Sequence, residues 1–258
     1  MAHDRLASLF GREGKLDEAM NAYREALGIR ERLVAAFPDN LEWQRDLSVS
    51  HNMVGDLLDD QHKLDDALKA YRNGLAIRER LASIDSSNAY RQRDLVVSYA
   101  RIADVLSQQG NLDRALEAYR TSVATAERIA SSLSNDLSFQ RNLSVGYASL
   151  GRVLAERGKF DEALKAHRNA LAIRERLTAA DPTNTTWQRD LAISHSSLAS
   201  IYERQHRIKE ALAELIPGRN IMVALVKIAP NNAQWKNALT WFEQQIGRLQ
   251  GQQEGTGQ

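Results

Sequence analysis

At 258 residues the chain is long enough to bury a sizeable apolar core. Its 34 basic and 33 acidic side chains nearly cancel, so no strong net charge draws it to nucleic acid or to an anionic membrane. The absence of cysteine excludes disulfides and thiolate metal sites, and no apolar run reaches the length of about 18 residues that a membrane span needs. The segment from Met1 to Leu16 is interrupted by charges and lacks the apolar centre of a secretory signal, so we predict a cytoplasmic location.

One repeat unit recurs along the chain with a fixed period of 48 residues. The phrase Gln-Arg-Asp-Leu starts at Gln44 and returns, changed at most at one residue, at Gln92, Gln140 and Gln188. A second phrase, Leu-Asp-Glu-Ala in its first copy, starts at Leu16 and keeps the same step. We therefore predict repeat units at about 1–37, 38–85, 86–133, 134–181 and 182–229, followed by a terminal helix at 232–250.

Each unit reads as two antiparallel helices, which we name A and B. In the second unit, apolar residues at i, i+3, i+4 and i+7 predict helix A from about Leu41 to Gln61 and helix B from about Leu64 to Ile84. The residues between A and B fit a left-handed backbone conformation: Gly14, His62, Gly110, Gly158 and His206. Proline, Asp, Asn and Ser between B and the next A predict helix stops and caps. The fold class is all-α, with about 11 helices in stacked hairpins.

These residues resemble the tetratricopeptide repeat, in its long-helix, kinesin-light-chain-like form. Val54-Gly55, Leu58, Ala67, Tyr71 and Gly74-Leu75 match the order of the family's signature. The period of 48 exceeds the family's usual period of about 34, because both helices are longer. The resemblance implies a right-handed α-solenoid forming a single domain over residues 1–250, with a disordered tail at 251–258.

The resemblance also implies a concave groove, lined by the A helices, that binds a partner protein or peptide. The groove positions that it indicates are Asn52, Asp56, Asp59, Asp60, Asp104, Ser107, Gln108, Arg152, Glu156, Ser196, Ser200, Glu203 and Arg204. They differ between repeats, whereas the packing positions hardly change. Acidic residues early and arginines later favour a partner segment that is basic at one end and acidic at the other; solvated surface charges are the alternative.

Several other residues have structural explanations. His51 and His195 share a column with Tyr99 and Tyr147, which indicates a packing site for a flat ring rather than a metal ligand. The aromatic column that contains Trp43 indicates cover for the seam between repeats, and the Gln-Arg-Asp-Leu and Arg-Glu-Arg phrases indicate ion pairs between helices. Pro217 predicts a kink in the fifth helix B.

No motif in the sequence indicates catalysis, a cofactor or a metal site, so we do not expect an enzyme. The leading hypothesis is a protein-interaction scaffold, as a module of a larger bacterial-style signalling or effector assembly. The alternatives are an oligomerisation module that self-associates through exposed terminal helices and an RNA-binding helical array. The near-zero net charge disfavours nucleic acid.

Overall fold

The computed structural model describes residues 6, 7, 9–11 and 13–255, with side chains described as far as Gln253. Residues 6–7 and 9–11 are helical, and ten further helices follow. Their bounds are α1 Leu16–Ala36, α2 Leu41–Asp60, α3 Leu64–Ile84, α4 Ala89–Gln108, α5 Leu112–Ile129, α6 Leu137–Glu156, α7 Phe160–Ala180, α8 Thr185–Arg204, α9 Ile208–Ile228 and α10 Ala233–Gly255. No strand occurs among these residues. The all-α prediction is confirmed.

The helices form two compact units, Met1–Ser132 and Leu133–Gln258. In the first unit, each helix from α1 to α4 packs against the next helix in the chain, and in the second unit each helix from α6 to α9 does the same. The A helices are α2, α4, α6, α8 and α10, and the B helices are the odd-numbered ones. The division falls between the predicted third and fourth repeats. A single domain over residues 1–250 stays a prediction.

A residue with positive φ separates helix A from helix B in every repeat. The φ angles are 73° at Gly14, 57° at His62, 74° at Gly110, 72° at Gly158 and 59° at His206. Behind His62, the amide of Lys63 donates to the carbonyl of Leu58 at 2.8 Å, which satisfies a carbonyl at the helix end. The prediction of a left-handed residue at this column is confirmed.

Side-chain caps start the A helices α2, α4, α6, α8 and α10, the last through Asn232, which accepts from the amide of Trp235 at 3.1 Å. Asn40, Asn88 and Asn184 each accept hydrogen bonds from backbone amides in the first turn of the helix that follows. Asp136 accepts from the amide of Phe139 at 2.8 Å. The B helices start directly after the left-handed turn, and their N-cap residues, such as Lys63, make no such bond. The predicted capping chemistry is therefore present at the B-to-A junctions.

Small residues in the A helices allow aromatic rings of the B helices to approach the backbone. A Cβ atom built on Gly55 would lie 2.6 Å from Cε1 of Tyr71, and one on Gly151 would lie 2.6 Å from Cδ2 of His167. Both rings are buried. Gly55 and Tyr71 are both positions of the repeat signature.

Two predictions concern the last repeat, one about the C-terminal tail and one about Pro217. The last helix extends to Gly255, so the predicted disorder of residues 251–258 is wrong for 251–255, while 256–258 lie outside the described residues. The glutamine-rich segment after Gly251 has no helix breaker before Gly255, which lets the helix continue. Helix α9 runs through Pro217 to Ile228, so the proline does not end it. The kink itself stays a prediction.

Candidate functional site

One face of each A helix is open in the described structure. In α2 this face contains Val49, Met53, Asp56 and Asp60, which are spaced by three or four residues and therefore lie on one side of the helix. The equivalent residues are Val97, Arg101, Asp104 and Gln108 in α4, Val145, Ser149, Arg152 and Glu156 in α6, Ile193, Ser197, Ser200 and Arg204 in α8, and Trp241, Gln245 and Arg248 in α10. None of them is buried. We call these positions the open A face and treat each unit separately.

An apolar column begins the open A face, and the sequence analysis missed it. In the second unit the column consists of Val145, Ile193 and Trp241, each 41% exposed. In the first unit Val49 and Val97 are half-buried. Position 49 lies two helical turns before Asp56, so the repeat period could have revealed the column. Exposed apolar side chains placed on successive helices are a feature of protein-binding surfaces.

The acidic positions of the first unit are engaged within the unit. Asp56 accepts a hydrogen bond from the hydroxyl of Tyr71 at 2.7 Å and lies 3.3 Å from Nε of Arg101. Asp59 accepts from Nε2 of Gln108 at 2.9 Å. Burial raises the pKa of Asp56, while Arg101 and Tyr71 oppose that rise. Asp60 is exposed.

The variation between repeats at the Asp56 column has an internal cause. Asp56 and Asp104 each accept the hydroxyl of a buried tyrosine one helix on, Tyr71 and Tyr119 respectively. Where the buried residue is His167, the open position is Arg152, and where the buried residue is Leu215, the open position is Ser200. The residue at the open position therefore varies together with the buried residue of the next helix. Diversity at this column is therefore no evidence for a ligand.

The charged positions of the second unit also have neighbours. Nη1 of Arg152 lies 2.8 Å from Oε1 of Glu156, and Glu203 accepts from Nη2 of Arg248 at 2.8 Å. The guanidinium of Arg204 lies 4.8 Å from the ring centre of Phe160. Ser200 is exposed. These contacts keep the polar side chains ordered next to the apolar column.

Five predicted groove residues lie outside the open A face: Asn52, Asp59, Ser107, Ser196 and Glu203. Asn52 is only 8% exposed. In the amide orientation that satisfies its hydrogen bonds, its side-chain oxygen accepts from Nη1 of Arg78 at 2.8 Å. Its assignment to the groove is wrong, because position 52 lies on the packed side of α2, one turn after the buried Ser48. Ser107 is half-buried, and the hydroxyl of Ser196 donates to the carbonyl of Ile193 at 2.9 Å.

A buried arginine joins three helices in each unit. Nη1 of Arg78 donates to the carbonyl of Asp94 at 2.9 Å and to Oγ of Ser98 at 2.8 Å, and Nε donates to Oγ of Ser48 at 3.1 Å. Helix α3 is thereby linked to both α2 and α4. In the second unit Arg174 makes the equivalent contacts to Ser144, to Ser194 and to the carbonyl of Asp190. Burial lowers the pKa of both guanidinium groups.

The Gln-Arg-Asp-Leu phrases make the predicted ion pairs between repeats. Nε of Arg45 lies 2.7 Å from Oδ2 of Asp94, and Nε of Arg141 lies 2.8 Å from Oδ2 of Asp190. Arg78 is the first arginine of its Arg-Glu-Arg phrase. It does not form the predicted ion pair, because its guanidinium binds hydroxyls and a carbonyl instead. The glutamine has a further role, since Gln44 donates to the carbonyl of Pro38 in the preceding connection.

The ring column that contains His51 packs as predicted. The hydroxyl of Tyr99 donates to Oε1 of Glu79 at 2.7 Å, and burial together with this contact raises the pKa of Tyr99 to about 12. His195 is nearly buried, with Nδ1 at 2.8 Å from Oε2 of Glu214. Burial lowers the pKa of His51. Each of these three rings therefore either contacts a side chain of a B helix or is partly buried.

Within the part of the chain that the structure describes, no three His, Asp or Glu side chains converge as metal ligands would. A search of the same residues for a helix long and apolar enough to cross a membrane finds none.

Models of the tetratricopeptide repeat match the chain at residues 2–32, 95–142 and 146–182. None of the curated proteins compared with the chain matches it. The fold is similar to that of BtubC (BKLC) from P. vanneervenii, with a TM-score of 0.68 at 20% identity over 85% of this chain and 78% of that one.

Two further solved structures share the fold. A putative kinesin light chain from Podosopora anserina with nearly identical TPR-like repeats aligns with a TM-score of 0.59 at 17% identity, over 88% of this chain and 95% of that one. The apo form of RapI aligns with a TM-score of 0.65 at 16% identity, over 92% of this chain and 62% of that one.

The helix hairpins, the glycine-to-ring contacts and these matches together define a helical repeat protein. Three segments of the chain, residues 2–32, 95–142 and 146–182, match the tetratricopeptide repeat, and the solved structures share its fold. The chain's helices are long, and its repeat period is 48 residues. Proteins with such repeats serve as interaction scaffolds, and that general role applies to this chain.

Proposed function

We propose that the chain is a non-enzymatic scaffold whose open A faces bind a segment of a partner protein. The observation that carries the proposal is the apolar column Val145, Ile193 and Trp241, each two-fifths exposed on its own A helix. Burial of such side chains by a partner supplies binding free energy at about 25 cal/mol per Å² of apolar surface. The polar residues beside the column then set the register of the bound segment.

The charges favour a partner segment of mixed sign. The open A face of the first unit has Asp56, Asp60 and Asp104 against the single positive charge of Arg101, whereas that of the second unit has Arg152, Arg204 and Arg248 against the single negative charge of Glu156. A segment with basic residues over the first unit and an acidic or C-terminal group over the second complements both. We place this activity in the cytoplasm, as one module of a larger signalling or effector assembly.

The experiment compares two isoleucines of the second unit. Peptides are selected against the wild-type chain from a random library, and their affinities are measured by fluorescence anisotropy for the wild type, Ile193→Glu and Ile216→Glu. Ile193 lies on the open A face and is 41% exposed, whereas Ile216 lies on the B helix α9 and is 45% exposed. We expect Ile193→Glu to weaken binding by about tenfold or more and Ile216→Glu to leave it unchanged.

Equal loss of affinity in the two variants, or none in Ile193→Glu, contradicts the proposed surface. The charge argument is tested separately with Asp60→Lys, because reversal at Asp56 or Asp104 would also break a hydrogen bond to a buried tyrosine.

Light scattering over a concentration series separates the scaffold hypothesis from the oligomerisation hypothesis. A mass that rises with concentration and falls in Ile193→Glu would assign the open A face to self-association instead.

A further inference from the structure

Each A helix has a side that faces the B helix preceding it in the chain. In α2, Oγ of Ser50 accepts from Nη1 of Arg30 in α1, and in α10 the ring of Phe242, at the equivalent position, lies against Gly218 of α9. Residues four and seven positions further on lie on the same side of the helix. Those seven positions further on are buried in α2, α4, α6, α8 and α10: Leu57, Val105, Val153, Ile201 and Leu249. This side is therefore the apolar surface by which one repeat stacks on the repeat before it.

The equivalent side chains are exposed at the N-terminal end of the first unit. Leu6 and Leu9, which correspond to positions 54 and 57, are 44% and 51% exposed. Ile29 of α1 shows a similar difference, since it is 38% exposed while its equivalent Ile173 in α7 is 5% exposed. We call Leu6, Leu9 and Ile29 the N-terminal stacking face. It has the composition of a surface between repeats, but it is exposed.

The last helix is polar at the position where the other A helices are apolar. Position 58 is apolar and buried in α2, α4, α6 and α8: Leu58, Leu106, Leu154 and Tyr202. At the equivalent position α10 has Gln250, which is exposed. A Cβ atom built on Gly55 would meet Tyr71 of the following B helix, whereas one built on Gly247 of α10 has nothing within 4 Å among the described residues. Polar residues therefore solvate the last helix, as terminal repeats of a solenoid require, and the two ends of the chain differ.

We propose that the N-terminal stacking face binds the same face of a second copy of the chain. Apolar side chains that stack repeats are complementary to other apolar side chains, and the second copy supplies them from its own Leu6, Leu9 and Ile29. The C-terminal end of another copy does not fit, because Gln250 would lose water without gaining a hydrogen-bond partner from this face. The contact is isologous, so it closes at two chains and does not extend into a fibre.

The N-terminal stacking face shares no residue with the open A face, so the inference does not rest on the proposed function. A chain that dimerises in this way keeps its open A faces for a partner segment. Ile193→Glu should therefore leave dimerisation unchanged, and failure of one proposal is distinguishable from failure of the other.

The test is sedimentation equilibrium of the whole chain from about 2 to about 500 μM, with an expected dissociation constant on the order of 50 μM. We expect the weight-average mass to rise from that of one chain towards that of two. Leu9→Gln gives this face the residue type that α10 has at position 250, and it should raise the dissociation constant about tenfold or more. Ile216→Gln is the matched control, because Ile216 is 45% exposed on α9, and it should change nothing. Circular dichroism checks that each variant is folded.

A single introduced thiol tests the same contact in another way, because the chain has no cysteine. Leu6→Cys places the thiol at the N-terminal stacking face, and Gly247→Cys places it on α10 at a position with nothing within 4 Å of the added Cβ among the described residues. Under the same mild oxidation, we expect Leu6→Cys to form more disulfide-linked dimer than Gly247→Cys.

Four outcomes would overturn the proposal. They are the mass of one chain at every concentration, unchanged association in folded Leu9→Gln, a mass that exceeds that of two chains, and no excess of linked dimer in Leu6→Cys over Gly247→Cys. Association that is lost in Ile193→Glu but kept in Leu9→Gln would instead assign self-association to the open A face.

Discussion

Replacing Arg78 by methionine tests whether the buried arginine stabilises the first unit. The residue is 5% exposed, and its guanidinium donates to Ser48, to Ser98 and to the carbonyl of Asp94. Methionine fills much of the same volume but leaves these acceptors without their donor. Charge-assisted hydrogen bonds contribute about 1.5–3 kcal/mol each, and relief of guanidinium desolvation offsets part of the loss. We expect a net destabilisation of about 3 kcal/mol.

The assay for Arg78→Met is native-state hydrogen exchange, read from peptides that cover α2 to α4, because two units need not unfold in one step. Arg80→Met, at an exposed position on the same helix, is the control and should change the opening free energy by less than about 0.5 kcal/mol. Combining Arg78→Met with Ser98→Ala should show coupling of about 0.5–3 kcal/mol. Equal effects of the two methionine variants, or full additivity with Ser98→Ala, would refute the role assigned to Arg78.

Three further predictions concern the packing of the repeats. Burial, with a smaller contribution from Arg174, lowers the pKa of His167 from 6.5 to about 4, so the folded state binds fewer protons than the unfolded state between these values. Stability should therefore fall by about 3 kcal/mol as the pH is lowered through that window and then level off, and a pH series of urea unfolding should lose this dependence in His167→Tyr. Gly55→Ala should lower the melting temperature because its methyl group would meet the buried ring of Tyr71, whereas Gly28→Ala, with nothing within 4 Å, should raise it. Asn184→Ala removes the cap of α8 and should cost about 1 kcal/mol in chemical denaturation, with no comparable effect of Lys159→Ala, whose side chain makes no capping bond.

The sequence predicted the hairpin architecture because each local signal agrees with the repeat. The left-handed positions at His62 and His206 and the caps such as Asn88 follow from residue type and spacing. These features depend on neighbours within one hairpin. A fixed period then carries each of them to the other repeats.

The candidate site could be predicted only in part. Asn52 is a polar residue on helix A, and nothing local shows that its amide turns inward to the buried Arg78. The link between Asp56 and Tyr71 depends on contact between two helices, so variation at position 56 resembled adaptation to a ligand. The apolar column at Ile193 was detectable from spacing, but its exposure depends on how the helices pack.

The polar contacts between repeats have a consequence for changes in repeat number. Nη1 of Arg30 donates to Oγ of Ser50, and Arg78 and Ser98 make the same contact one repeat later. Excision of residues 38–85 would therefore place Arg30 where Arg78 now stands, with Ser98 as its acceptor. The junction would keep its hydrogen bond without any new residue. At this junction the array can shorten by one whole repeat, since the cut end already matches the end it would meet.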